Sequence, residues 1–321
     1  MDIITFRFTL FLLAAAFLPP VCVAPALAEQ VTASYLYNLS DFDGAIPYNG
    51  ARTFVDEPHG ETYVVSSGGV DIYNPSGMQV FHFDYDRELG GVYDASVDEN
   101  GHILLLTNRE GVYRIVRCNY RGEPFAAVDL KHLPPGFEGF RPGRMVCRNG
   151  KIYLVSQGDM DAVVLDRDAS FMRGYDFATL LGLSEGQKAG SDIGGFTVDR
   201  DGNMLFVIGA FGRAYRGLPD GTLTEFGRRG SGAGKFGVPG GIAADRVGNL
   251  LITDKLRGVV IIFDKEFRFI NEFGYRGTRP GNLIVPGEIT VDTVTNRVYV
   301  SQLRRRGVNI YQLEYGEEPA R

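Results

Sequence analysis

The chain has 321 residues and a net charge of −6 at pH 7, with 44% hydrophobic and 22% charged residues. This composition excludes an intrinsically disordered chain, and the negative charge argues against a nucleic-acid binder. Glycine accounts for 42 of the 321 residues, about 13%, whereas the usual share is about 7%. The glycines have no collagen-like period, which indicates many tight turns.

The first predicted element is a signal peptide over residues 1–28. Its apolar run at 8–18 is too short to span a bilayer, Arg7 precedes the run, and an Ala-x-Ala cleavage site lies at 26–28. Lipidation at Cys22 is the alternative. No later stretch is long and apolar enough for a membrane span. We therefore expect an exported protein in the periplasm, the cell envelope or the extracellular space.

The remaining chain is a repeat. Its clearest copy is 236–274, and copies that begin in the same way start at Ile193 and Val285. Weaker copies start at Ala51, Val92 and Arg141. In each copy the first strand ends at a turn anchored by one residue, and the anchors are Asp56, Asp98, Cys147, Asp199, Asp245 and Asp292. Each copy contains four short β-rich runs, which is typical of one β-propeller blade.

The two ends of the chain are predicted to share a blade. The last copy ends after its third strand at 308–313, whereas a spare strand at 35–39 precedes the first copy. An open ring would leave unpaired sheet edges, so we expect the N-terminal strand to complete the sixth blade. Residues 29–321 are thus predicted to form one all-β domain, a six-bladed propeller with four-stranded blades.

One motif resembles a known family. The run FGVPGGIAAD at 236–245, followed by GNL at 248–250 and ITD at 252–254, is similar to the NHL repeat. The resemblance is strongest in the fifth copy, good in the fourth and sixth, and weak in the first three. It implies a six-bladed NHL-type propeller. Such propellers include protein-binding scaffolds, RNA binders, and metal-dependent lyases and lactonases, so the resemblance leaves the function open.

Two cysteines, Cys118 and Cys147, remain after cleavage of the signal peptide. The repeat places both at strand ends on one face of neighbouring blades. The first and third strands lie at different radii, and a disulfide needs a Cα separation below about 7 Å. The sequence therefore allows a disulfide between them without requiring it.

Histidines give little support for a metal centre. The resemblance implies a zinc ion held by several channel histidines in the lyases. The four histidines of this chain occupy different positions of the repeat, and they are His59, His82, His102 and His132. We do not expect them to converge on one ion. The glycine-rich run at 227–234 is interpreted as a loop between blades, because no helix follows it to bind a phosphate.

Charged residues are predicted at the central channel. The position four residues before the anchor is Arg52, Asp94 or Glu288 in three adjacent blades and glycine in the other three. In the third blade this position is Gly143, and the next residue is Arg144. These side chains could form a salt-bridge network, since unpaired buried charges are costly. Alternatively they bind a small ligand or a divalent cation, with Asp94 and Glu288 as the candidate metal ligands. No other cofactor is expected.

Loops at one face of the propeller are predicted to be basic and aromatic. The loops between second and third strands carry Arg109, Arg213, Arg216, Arg257, Arg304, Arg305 and Arg306, with the aromatic residues Phe211 and Tyr215. Loops between blades add Arg228, Arg229, Arg276 and Arg279. Arginine and aromatic residues together are typical of interaction hot spots. The alternative is a solvated surface of mixed charge.

We favour a binding or scaffold module whose partner is a protein, with an acidic protein surface or an anionic glycan preferred over nucleic acid. Whether the protein is an enzyme is left open, with a non-enzymatic role favoured. The main alternative is a metal-dependent lactonase or lyase that uses the channel residues. A structural component of an envelope assembly is a third interpretation.

Overall fold

The computed structural model describes residues 30–41, 43–66, 68–85, 87–131 and 133–316. Within these ranges the chain forms six four-stranded antiparallel sheets, which confirms the predicted six-bladed propeller. The predicted signal peptide lies outside the described residues. No helix in the described part of the chain is long and apolar enough to cross a bilayer.

The first strand, β1, spans Val31–Asn38 and belongs to the last blade. Blade 1 contains β2–β5, which span Arg52–Asp56, Glu61–Val65, Gly69–Tyr73 and Gln79–Asp84. A 3₁₀ turn, Arg87–Leu89, leads to blade 2. Blade 2 contains β6–β9, which span Gly91–Val97, Ile103–Arg109, Val112–Cys118 and Pro124–Asp129. Blade 3 contains β10–β13, which span Arg144–Arg148, Lys151–Ser156, Asp161–Asp166 and Phe171–Asp176.

Two short helices, α1 (Phe177–Leu180) and α2 (Glu185–Ala189), connect blades 3 and 4. Blade 4 contains β14–β17, which span Phe196–Val198, Met204–Ile208, Arg213–Gly217 and Leu223–Phe226. Blade 5 contains β18–β21, which span Pro239–Ala244, Leu250–Asp254, Val259–Phe263 and Phe269–Phe273. Blade 6 contains β22–β24, which span Pro286–Asp292, Arg297–Gln302 and Val308–Tyr315, and β1 completes it.

The hydrophobic core lies between the blades. Six clusters of buried side chains each join two neighbouring blades, and together they follow the ring. Because both faces of a blade pack on neighbours, its middle strands are continuous apolar runs. In blade 5 every residue of β19 and β20 is buried.

Closure of the ring follows the prediction. Strand β1 pairs antiparallel with β24, from Val31 opposite Tyr315 to Asn38 opposite Asn309. The inner strands of neighbouring blades contact each other all the way round, including β22 against β2. The ends of the repeat therefore leave no unpaired edge at the seam.

The propeller has two faces. Face A carries the loops between second and third strands and those between blades, whereas face B carries the turns after first and third strands. At face B the predicted anchors have a structural role. The carboxylate of Asp245, for example, accepts the N–H groups of Val247 and Asn249 at 3.0 and 2.8 Å. Such short-range bonds fix the turn and explain why aspartate recurs there.

Both described cysteines are free thiols, so the disulfide allowed by the sequence is absent. Cys118 packs in the core between blades 1 and 2, whereas Cys147 packs against the core between blades 2 and 3. The sheet of blade 2 therefore separates the two thiols. Burial raises the pKa of Cys118 to about 11 and that of Cys147 to about 12, which keeps both protonated.

Candidate functional site

Charged side chains form a barrier across the channel near face A. Arg52 of blade 1 contacts Asp94 of blade 2, whose Oδ2 also accepts the N–H of Met145 at 2.6 Å. Arg144 donates from Nη2 to Oε1 of Glu288 at 2.7 Å. Blades 3 and 6 are opposite in the ring, so this second pair spans the channel. All four channel residues predicted from the sequence are thus brought together.

In this barrier each carboxylate is paired with an arginine, Asp94 with Arg52 and Glu288 with Arg144. Asp94 is fully buried. Burial lowers the pKa of Arg52, repulsion from Arg144 lowers it further, and Glu288 acts in the opposite direction. Each carboxylate already faces a guanidinium, which offsets the cost of its burial. Among the described residues no group of three or more His, Cys, Asp or Glu side chains is placed to hold a metal ion.

Blades 4–6 meet backbone to backbone at the same level of the channel. A Cβ atom on Gly195 would lie 2.5 Å from Cα of Gly241, and a Cβ atom on Gly241 would lie 2.5 Å from the carbonyl oxygen of Gly287. Thr253 Oγ1 accepts the N–H of Gly241 at 2.7 Å and donates to the Gly287 carbonyl at 2.6 Å. The glycines are needed there because any side chain would separate the strands.

Below the barrier the channel widens into a cavity of about 300 Å³ that opens on face B. Arg52 and Glu288 lie at its closed end, and Arg148 lies nearer its mouth. Hydroxyl groups line its wall, and they belong to Thr53, Ser96, Thr197 and Thr290. Four carboxylate residues of the face-B turns complete the lining, Asp56, Glu57, Asp98 and Glu99, so the cavity is acidic as well as polar.

Face A of blades 4–6 carries six exposed arginines, which we call the basic face. They are Arg228, Arg229, Arg276, Arg279, Arg304 and Arg305. Their loops touch one another. Arg306 is half-buried and donates to the carbonyl of Thr278 at 2.9 Å, and Arg257 donates to the carbonyl of Lys235 at 2.9 Å. These contacts make the basic face one continuous surface across three blades.

Two loops of the basic face share one conformation. Gly230 donates to the carbonyl of Phe236 at 2.9 Å, and Gly277 donates to that of Leu283 at 3.3 Å. Phe236 and Leu283 are both fully buried and fix the loops to the core. The arginines of both loops are therefore held on a rigid base.

Several residues predicted for this surface are paired and mostly buried, or lie away from the basic face. Arg257 is only 13% exposed and pairs with Glu272 at 2.6 Å, while Arg213 is half-buried and lies 3.9 Å from Glu225. Arg216 lies near face B, where its guanidinium stacks 4.4 Å from the ring centre of Phe267. Arg109 is exposed on blade 2, away from the basic face, and donates to the backbone of Glu88.

Two aromatic residues predicted for this face, Tyr215 and Phe211, do not lie on its surface. Tyr215 is 3% exposed and belongs to the core between blades 3 and 4. Phe211 is half-buried and packs against the same core. Both faces of a blade are covered by neighbouring blades, and these two aromatic side chains pack between them.

The described histidines do not converge. His59 pairs with Asp56 at 2.7 Å, His82 with Asp71 at 2.7 Å, and His102 with Asp98 at 3.2 Å. None of these three lines the channel cavity. His132 lies outside the described residues.

Sequence comparisons do not place the chain in a family: no family model matches it, and no curated protein is significantly similar. Solved structures do share the fold. Virginiamycin B lyase from Staphylococcus aureus is 15% identical, covers 91% of this chain and 90% of its own, and has a TM-score of 0.55. Luciferin-regenerating enzyme is 12% identical, covers 88% and 95%, and has a TM-score of 0.58.

An auxiliary nutrient binding protein from Bacteroides ovatus is 14% identical over 89% of this chain and 77% of its own, with a TM-score of 0.57. Two of these three propellers are thus named as enzymes and one as a binding protein. At such low identities the likeness shows the fold alone, a six-bladed β-propeller.

Proposed function

We propose that the protein is an exported binding module that recognises an anionic partner, an acidic protein surface or an anionic glycan, through the basic face. One observation carries this proposal. The six arginines of the basic face are exposed, and none forms an ion pair with a carboxylate that the structure describes. A protein of net negative charge thus presents a surface of concentrated positive charge.

The rigidity of the surface supports the same function. Its two interblade loops are fixed to the core by Phe236 and Leu283, so partner binding need not order them first. Arginine also binds carboxylate and sulfate groups in a bidentate manner, which suits acidic proteins and sulfated glycans. Export rests on the predicted signal peptide, and the nutrient binding protein among the similar folds is compatible with it.

An enzyme that works in the channel is less well supported. Asp94 and Glu288 each face an arginine, so a substrate or cation would first have to displace a guanidinium. A variant of the S. aureus lyase with one histidine replaced is catalytically inactive. In this chain the described histidines lie outside the channel cavity.

The test compares two triple variants with the same change in charge. Arg279→Gln, Arg304→Gln and Arg305→Gln together neutralise part of the basic face. Arg109→Gln, Lys131→Gln and Arg141→Gln neutralise three exposed cations on face A of blades 2 and 3. Association with immobilised heparin and with poly-L-glutamate is measured by surface plasmon resonance from low to high salt.

We expect the first triple variant to associate about tenfold more slowly at low salt and to lose most of its salt dependence, because surface charges act mainly on the association rate. The second should associate at nearly the wild-type rate. Equal behaviour of the two variants would show that only net charge matters, and would reject the basic face as the binding surface.

A further inference from the structure

A pocket of about 320 Å³ lies at the outer edge of blade 5, next to the basic face. One side of it is formed by the interblade loop at 227–235, which contributes Arg228 and Lys235. The other side is formed by the turn between β20 and β21 and by the adjoining strand ends. Three phenylalanines line this side, and they are Phe263, Phe267 and Phe269. Glycine and alanine complete the lining, so the pocket has an aromatic wall and a cationic entrance.

Phe267 occupies a backbone position at which other blades have small residues. Its φ angle of 66° lies in the left-handed region. At the same place in the turn after the third strand, blade 3 has Ala169 and blades 1, 2 and 4 have Gly77, Gly122 and Gly221. A bulky side chain is costly in this conformation, and such strained residues cluster at functional sites. The turn therefore does not require a phenylalanine. Its ring stacks on that of Phe226, with centres 4.6 Å apart, and is held beside the pocket.

The related loop beside blade 6 is joined to its aromatic residues by a hydrogen bond. Phe263 lies opposite Phe269 in blade 5, and Tyr311 lies opposite Tyr35 at the same register in blade 6. The hydroxyl of Tyr311 donates to the carbonyl of Gly281 in the loop at 2.9 Å. Phe263 has no hydroxyl group, so the loop beside blade 5 lacks this bond. The pocket lies between that loop and the phenylalanine rings.

The charges that line the pocket are positive. Arg228 is exposed and Lys235 is half-buried, and neither forms an ion pair with a carboxylate that the structure describes. The two carboxylates of the adjoining turn do not line the pocket and are already paired. Asp264 lies 2.6 Å and Glu266 lies 3.2 Å from Arg268. In contrast to the acidic channel cavity, this pocket therefore favours an anionic group at its entrance.

We propose that this pocket binds an aromatic side chain of an acidic protein segment, whose neighbouring carboxylates contact Arg228 and Lys235. The inference rests on the function proposed above, because Arg228 belongs to the basic face, and it selects the acidic protein over the anionic glycan. Aromatic rings pack favourably against one another. The hydroxyl groups of a sugar would instead face phenylalanine rings, which offer them no hydrogen-bond partner, and unpartnered buried hydroxyl groups are costly.

The test uses two fluorescein-labelled heptapeptides of glutamate, one with a central phenylalanine and the other with a central alanine, so that both carry the same charge. Their binding to the purified protein is measured by fluorescence anisotropy at low salt. We expect the phenylalanine peptide to bind at least about fivefold more tightly, because burial of its ring is favourable. The triple variant Arg279→Gln, Arg304→Gln and Arg305→Gln should weaken the binding of both peptides by a similar factor, since it changes only the basic face.

Variants then locate the pocket. Phe269→Ala should reduce the preference for the phenylalanine peptide to less than about twofold. Phe171→Ala is the matched control and should keep the full preference. Phe171 begins the outer strand of blade 3 as Phe269 begins that of blade 5, and the two are 39% and 40% exposed. Phe267→Gly introduces the residue that three other blades have, should also reduce the preference, and provides a second pocket variant if Phe269→Ala unfolds.

The outcomes separate this inference from the function on which it rests. Equal binding of the two peptides by the wild type, with both weakened in the triple variant, would overturn the aromatic pocket alone. Binding of neither peptide would overturn the proposed function and the pocket together. Wild-type preference in a folded pocket variant would place the aromatic ring elsewhere and overturn the inference. Loss of heparin binding in Phe269→Ala would assign the pocket to a glycan and overturn the choice of a protein.

Discussion

Blades 1–3 and blades 4–6 carry the charges of face A in different ways. On blades 2 and 3 two exposed cations are neutralised nearby, since Lys131 lies 2.6 Å from Asp129 and Arg141 lies 3.0 Å from Asp159. On blades 4–6 the six arginines of the basic face have no such partner among the described carboxylates. The overall charge of −6 therefore hides a polarised surface, and partner binding depends on this local distribution.

The same two halves differ at the centre of the ring. On one side Arg52, Asp94 and Arg144 fill the channel with side chains. On the other side Gly195 and Gly241 allow the backbones of blades 4–6 to touch. Blades 4–6 are also those that most resemble the NHL repeat, so close packing and a regular sequence occur together. Blades 1–3 hold charged side chains at the level where blades 4–6 have glycine and backbone contact.

The largest effect is expected from breaking the backbone contact. Gly241→Ala places a methyl group 2.5 Å from the carbonyl oxygen of Gly287 and should lower the free energy of unfolding by about 3 kcal/mol. Gly143→Ala at the same repeat position of blade 3 meets only the side-chain end of Gln157, at 3.4 Å, and should cost far less. Urea unfolding of both variants is the measurement. Equal losses would contradict the difference between the halves.

A smaller effect is expected from breaking the ion pair across the channel. Arg144→Gln leaves Glu288 mostly buried without its cation and should lower the free energy of unfolding by about 2 kcal/mol. Arg141→Gln breaks the exposed pair with Asp159 and should change it by less than about 0.5 kcal/mol. Comparable losses in the two variants, measured by thermal unfolding, would mean that the barrier adds no stability beyond that of a surface pair.

The smallest effect concerns repulsion between two carboxylates of blade 3. Asp161 lies directly opposite Asp176 on β13, and burial, with repulsion from Asp176, raises the pKa of Asp161 to about 6. The folded state therefore holds a proton that the unfolded state releases near pH 4, so stability falls as the pH rises from about 4 through about 6.

Asp161→Asn removes this loss. We expect the variant to raise the free energy of unfolding by about 1 kcal/mol at pH 8, because solvent screens part of the repulsion, and by much less at pH 4.5. Melting temperatures of wild type and variant across this range provide the measurement. A gain that is the same at both pH values would show that repulsion between the two carboxylates is not its cause.

The ring architecture was predictable from the sequence because the turns recur with a regular spacing. Aspartate at the anchors and glycine or asparagine in the turns mark each blade, and the missing fourth strand of the last copy predicted the pairing of β1 with β24. These features are local in the chain, or follow from counting strands. The resulting fold is the part of the prediction that the structure confirms.

The contacts of the candidate sites depend on geometry that the sequence does not contain. Arg144 was identified as a channel residue, but its pairing with Glu288 follows from the width of the closed ring. The sequence places Tyr215 in a loop, because it does not show that β16 begins at Arg213.

The pairing of β1 with β24 also determines how the ring would respond to force. Val31 and Tyr315 lie opposite each other at the face-B end of the pair, and Gly316 donates to the carbonyl of Gln30 at 2.7 Å just beyond them. Tension applied to the chain at Gln30 and Gly316 would load the hydrogen bonds one after another rather than together. The pair of β1 and β24 would therefore separate stepwise from face B. This needs a lower force than shearing two strands along each other, and it would occur before any other blade is loaded.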